Sequence, residues 1–201
     1  SIALAHQNAW SGGQAGTPFS LTDASTIAVD FSTGNNFEVV LGGNRTLGVP
    51  TNLKAGQSGV FSIRQDGTGS RTLAYSWCYQ FAAGTAPVLS TGKYQEDELP
   101  YYCKRYSTSA TVTATNATPG VFTWTAHGMV TGCIIQFSAG TTTTPVLNTT
   151  YWVNVTGANT FNISTSLANL QAGTYVTTSG TSGNLTCSNI QITIGSLLAL
   201  A

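Results

Sequence analysis

Apolar and polar positions alternate through most of the first hundred residues of this 201-residue chain. Residues 28–31, 36–41, 59–65, 70–81 and 99–106 each read as a strand, because a period of two places every second side chain on one face of a pleated sheet. GN, GG and DG pairs punctuate them. The segment RQDGTGSRTL, residues 64–73, falls between two such runs. Before it, Val60, Ser62 and Arg64 alternate with Phe61, Ile63 and Gln65; after it, Leu73, Tyr75, Trp77, Tyr79 and Phe81 share one face. A phosphate cradle requires a glycine loop that opens into a helix N-terminus. Here a strand follows, so Asp66-Gly67 predicts a tight β-hairpin turn.

Beyond Ser107 the pattern shortens. Apolar islands at 121–125, 133–137, 151–155, 160–163, 174–177 and 185–194 are separated by Thr, Ser, Asn and Gly. Such closely spaced short strands predict a compact β module. The only helical candidate, SLANLQAG at 166–173, is too short to nucleate alone. The expected fold class is therefore all-β, with two small antiparallel β-sandwich or barrel-like domains and little or no helix. An N-terminal arm occupies residues 1–16, a first domain 17–107, and a second domain 108–201 with an apolar C-terminal strand.

Charge sharpens that division. All seven basic and seven acidic residues lie at or before Arg105, and the net charge is zero. Only 7% of residues are charged, against about a quarter in ordinary soluble domains. Nothing in this composition offers an electrostatic footprint for nucleic acid. No apolar run reaches the length of a helical membrane span, so no membrane insertion is expected. A surface of hydroxyls and amides, poor in charge, predicts a chain that works within an assembly or outside a cell. The opening residues lack the pattern of an export signal.

Two stretches carry a resemblance. FSTGNNFEVVLGGNRTLGVPTNLKAGQSGVFSIRQDGTGSRTLAYSW, in the first half, resembles a β-rich module of structural proteins from tailed bacteriophages. FTWTAHGMVTGCIIQFSAG and PVLNTTYWVNVTGANTFNIS, in the second half, resemble small β modules of phage tail fibres and related virion surface proteins. The resemblance implies a non-enzymatic virion component, commonly trimeric, exposed on a head, neck or tail and assembled with other virion proteins. A tail-fibre protein that recognises host surface glycan is the alternative, and a secreted bacterial β-rich adhesin a further one. The segment YQEDELPYYCKRY departs from the resemblance, because it carries charge and Pro100 where an apolar strand is usual. Pro100 predicts an edge strand or lip, since proline donates nothing to a ladder.

That lip concentrates the candidate chemistry. Glu96, Asp97 and Glu98 are expected as surface charge, pairing with Lys104 and Arg105 within the chain or across a subunit contact. Ile2, Leu4 and Trp10 of the arm, together with Leu197 and Leu198 of the tail, are expected as assembly contacts on neighbouring chains. Tyr101, Tyr102 and Tyr106 are the candidate glycan contacts. Four cysteines divide evenly between the halves: Cys78 and Cys103, then Cys133 and Cys187. Each pair is a disulfide candidate, and three connectivities are open. Strand parity puts Cys78 on the more exposed face, which makes it or Cys103 the candidate for an intersubunit bridge; all four as reduced thiols is the competing reading. His6 and His127 are the only histidines, and no ligand spacing for zinc occurs. No catalytic group, cofactor or metal is expected.

Overall fold

The computed structural model describes residues 16–196 and 198–200. The chain is nearly all β, with 46% of residues in strands and 4% in helix. It begins as a coil. Strands β1 (Phe19–Ser20), β3 (Asn36–Leu41) and β5 (Ser58–Gln65) lie side by side in parallel, and β2 (Thr26–Ile27), β4 (Arg45–Leu47) and β6 (Leu73–Tyr75) form a second parallel sheet. Successive turns of the coil therefore stack like on like. Phe19, Phe37 and Phe61 are in register, and Ile27, Leu47 and Tyr75 form the matching column in the other sheet. The Phe37 and Phe61 rings stack with centroids 5.3 Å apart.

This corrects two sequence expectations. The pairing in the first half is parallel rather than antiparallel, and Asp66-Gly67 does not close a hairpin, because β6 belongs to the sheet opposite β5. The corner is built by Asp66 itself. Its carboxylate accepts from the backbone N–H groups of Thr68 (2.8 Å) and Gly69 (2.9 Å), then meets the Arg71 guanidinium at 2.7 Å. Gly69 and Ser70 adopt positive φ there, at 75° and 58°. The loop amides are spent on a carboxylate, which would also repel a phosphate.

The run 70–81 is likewise two strands rather than one. A turn at Trp77 and Cys78 separates β6 from β7 (Tyr79–Phe81), and β7 runs parallel to β13 (Ser182–Ile194). Residues 28–31 form no strand beyond a single bridge from Asp30 to Thr51.

The longest strand, β8 (Glu96–Ala114), and β13 form an antiparallel ribbon common to both halves. With β9 (Phe122–Thr123), β10 (Ile134–Thr141), β11 (Thr150–Gly157) and β12 (Thr160–Ser164), the ribbon closes a six-stranded antiparallel barrel in the order β8-β9-β12-β11-β10-β13. Phe122, Phe137 and Phe161 stack inside it at 5.1 and 5.5 Å. The island 174–177 is not a strand. Its backbone instead seals the space beside the barrel, with Val176 N–H donating to Ile163 and its carbonyl accepting from Gly120. The short α1 (Leu167–Gln171) forms because the Ser166 hydroxyl accepts from Asn169 N–H at 3.0 Å and Leu170 is buried.

Two cores result, on opposite faces of the ribbon. Leu185 and Cys187 of β13 belong to the barrel core, whereas Ile190, Ile192 and Ile194 belong to the core of the coil. The inward set changes from odd to even numbers without an added residue in β13, so the strand must turn its other face inward. Strand β8 matches it with two bulges, each inserting one residue opposite β13.

Pro100 does not mark an edge. Strand β8 is central, with β5 on one side and β13 followed by β14 (Leu198–Leu200) on the other. The Pro100 carbonyl accepts from Gly195 N–H at 2.8 Å. Its absent N–H would point the same way, into the interval between β13 and β14 where the ladder is already broken. The proline fits a central strand because its partner pauses opposite it.

Candidate functional site

The charged and tyrosine candidates singled out from the sequence all lie on β8, and the strand's alternation sorts them. Asp97, Leu99, Tyr101 and Cys103 point into the coil core; Glu96, Glu98, Tyr102 and Lys104 point away from it. The acidic triplet is thus not a surface patch. Asp97 is fully buried and accepts from the Ser90 N–H and hydroxyl, both at 2.8 Å. It anchors the loop before β8 to the strand. The Tyr75 hydroxyl lies nearby, and burial followed by the Asp97 charge pushes its ionisation well up.

Glu98 accepts from the Ser62 hydroxyl at 2.7 Å, and Glu38 accepts from the Ser20 hydroxyl. Glu38, Ser62 and Glu98 are aligned in register across three strands. The two glutamates are therefore about two strand spacings, or ~10 Å, apart at the backbone. Glu38 and Ser62, together with Asp23, Arg64 and Glu96, line an outer groove of about 480 Å³. The Arg64 guanidinium lies 5.9 Å from the centre of the Tyr94 ring. Asp23 is committed elsewhere, to Arg45 at 2.6 Å, and that guanidinium holds its carboxyl below the ordinary range.

Within the chain, Lys104 does not pair with the acidic triplet. Six residues of extended strand separate it from Glu98, about 20 Å, and among the described residues it makes no ion pair. Arg105 contributes backbone pairing to Gln191, but its side chain lies outside the described part of the molecule, as does that of Tyr106.

The tyrosines separate in the same way. Tyr101 is a core residue rather than a glycan contact: its ring packs 5.0 Å from Phe61 and 5.1 Å from Phe31, and its hydroxyl donates to Asn35 at 2.8 Å. Tyr102, one residue on, is 49% exposed. It borders a cleft of about 490 Å³ shared with Lys104, Gln191 and residues Val130 to Cys133 at the mouth of the barrel.

None of the four cysteines forms a disulfide within the chain, and all four are buried. Cys78 is inward because it occupies the turn before β7, not a regular strand face. Ile192 of β13 lies between Tyr79 of β7 and Cys103 of β8. Cys78 and Cys103 are therefore about two strand spacings apart, near 10 Å, beyond the ~7 Å that a bridge can span. Cys133 lies just before β10, four residues from Phe137, the partner of Cys187, so about 13 Å of chain divides the second pair. An intersubunit bridge fails on burial. Desolvation pushes the Cys78 thiol up to about 12 and the Cys187 thiol well up.

His127 is a structural residue. Its Nδ1 accepts from Met129 N–H at 3.0 Å and its Nε2 donates to the Gly157 carbonyl at 3.1 Å, while its ring meets Phe161 edge-on. Ile2, Leu4, Trp10, His6 and Leu197 lie outside the described residues. Leu198 pairs with Glu98 of the same chain through β14, so the backbone of the apolar tail extends the chain's own ribbon rather than a neighbour's. Among the described residues no group of three or more His, Cys, Asp or Glu side chains is placed to hold a metal ion.

The chain matches no known protein family and no curated protein sequence.

Proposed function

We propose that this chain is a non-enzymatic structural component of a tailed-phage virion, exposed on the particle and acting by assembly with copies of itself and other virion proteins. The observation that carries the reading is the unfinished first turn of the coil. Strand β1 ends the large sheet, pairing with β3 alone among the described residues, and the Phe19 side chain at the end of its column is 44% exposed. A sheet edge with an apolar residue beside it favours the addition of another strand. The polar chemistry supports the same reading, since Asp66, Asp97, Glu38, Glu98 and His127 are each bound into hydrogen bonds that hold the fold.

Light scattering on the full chain tests it. The expected result is a trimer that Phe19→Glu dissociates without loss of β circular dichroism. A wild-type chain that stays monomeric at every concentration, and is absent from intact particles by density mapping, removes the reading.

A further inference from the structure

The ribbon turns its second face outward just where it leaves the barrel, and this places unlike groups around one cleft. Tyr102 offers an exposed ring. Lys104, the extra residue of a β-bulge, offers an ammonium that makes no ion pair among the described residues. Gln191 offers a side-chain amide, and Thr131 a hydroxyl whose oxygen already accepts from Val155 N–H at 3.0 Å, leaving its proton to donate. The opposite wall is the Val130–Cys133 loop, where Val130 is 56% exposed. The volume, about 490 Å³, suits one or two sugar rings.

Charge selects among ligands. No Asp, Glu, Lys or Arg occurs after Arg105, so the Val130–Cys133 wall of the cleft carries no charge that opposes or neutralises Lys104. On the same strand face Asn189 and Thr193 stand two residues to either side of Gln191, outside the cleft lining, and Asn189 Oδ1 and Thr193 Oγ1 are buried without a hydrogen-bond partner among the described residues. Thr193 pairs across the ladder with Tyr102.

We propose that this cleft is a binding site for an acidic saccharide, with the apolar face of a pyranose on Tyr102, its carboxylate on Lys104 and its hydroxyls on Gln191 and Thr131. Stacking and a charge-assisted hydrogen bond provide attachment, and Lys104 provides selectivity. The site does not depend on where the chain assembles, and the two claims fail separately.

The test is a titration of the full chain, followed by NMR, with a glucuronate-containing tetrasaccharide and with its neutral glucose counterpart. Saturable binding of the acidic probe is expected, with Kd on the order of 1 mM, and Tyr102→Ala weakens it by about ten-fold or more. Lys104→Gln removes the preference over the neutral probe. Tyr94→Ala, which alters a 63% exposed tyrosine outside the cleft, leaves both affinities unchanged. Absence of binding at ~20 mM probe, equal affinity for the two probes in the wild type, or indifference to Tyr102→Ala and Lys104→Gln each overturns the proposal.

Discussion

Asp97 provides the sharpest test of the fold, because its sequence neighbours suggest a solvated charge and its surroundings make it a buried anchor. Replacing it with alanine removes the acceptor for two Ser90 donors, each 2.8 Å away. Hydrogen bonds to a charged group contribute roughly 1.5–3 kcal/mol each, so the gross loss is about 3–6 kcal/mol. Two terms reduce it. Ser90 is only part-buried, so water reaches some of what the carboxylate leaves, and the substitution also relieves the cost of burying an anion that no cation pairs with among the described residues. A net loss of about 2–3 kcal/mol remains, which for a chain of this length lowers Tm by roughly 4–12 °C. Asp97→Asn keeps the shape, accepts from Ser90 N–H through its carbonyl and donates to the hydroxyl through its amide. About 1 kcal/mol is expected there. Glu96→Ala, one residue away on the outer face, changes stability by less than about 0.5 kcal/mol. Thermal and urea unfolding followed by circular dichroism measure all three. If Asp97→Ala costs no more than Glu96→Ala, the carboxylate is solvated and the inward alternation of β8 assigned here is wrong.

Three further outcomes follow from the same packing. The four cysteines of the native chain should resist iodoacetamide at pH 8, and all should react in denaturant, because all four are buried out of the reagent's reach; rapid labelling of Cys78 in the folded chain contradicts its place in the core. Asp66 has its carboxyl pulled down to about 2, by the Arg71 guanidinium first and the Gly69 and Thr68 amides after it. Its contribution to stability is therefore complete above about pH 4 and is lost as pH falls toward 2; Asp66→Asn should flatten that part of an acid-denaturation curve, and an unchanged curve counts against the corner. Phe122→Ala empties the middle of the Phe137–Phe122–Phe161 stack and should cost about 3–5 kcal/mol, read by urea unfolding, whereas a loss under about 1 kcal/mol would show that the barrel is not packed around these rings.

The sequence made the strands legible but not their partners. Alternation located Asn36–Leu41 and Ser58–Gln65 almost to the residue, since a half-buried strand leaves its period in the chain whatever lies beside it. It carried no information on parallel or antiparallel pairing, and a local turn signal at Asp66-Gly67 filled that gap wrongly. A better signal was present. Phe19-Ser20-Leu21, Phe37-Glu38-Val39 and Phe61-Ser62-Ile63 repeat one pattern. Repeats of that kind stack in register in a parallel coil, where each turn presents the same face to the next. The Phe columns observed here are that repeat in three dimensions. Similarly, Pro100 was read through the rule for a continuous ladder; the interval at Gly195 that satisfies it is 95 residues away and invisible locally.

The candidate site was half legible for a related reason. Parity alone separates Tyr101 from Tyr102 and Asp97 from its neighbours, since adjacent residues on a strand cannot share a face. Which member of each pair points outward depends on where the core lies, and β8 borders two cores in succession on opposite sides. Within the coil the outward set is even-numbered, so Tyr102 and Lys104 emerge together. Farther along, Val112 is inward for the barrel, because two bulges keep the strand aligned with β13 while the ribbon exchanges faces. A cleft at that exchange is a geometric consequence. The face that leaves the barrel interior must become surface, and it takes Gln191 out with it. Only a ribbon common to both halves makes such a place, which is why residues separated by some ninety positions in the chain meet there and why neither half read alone indicates it.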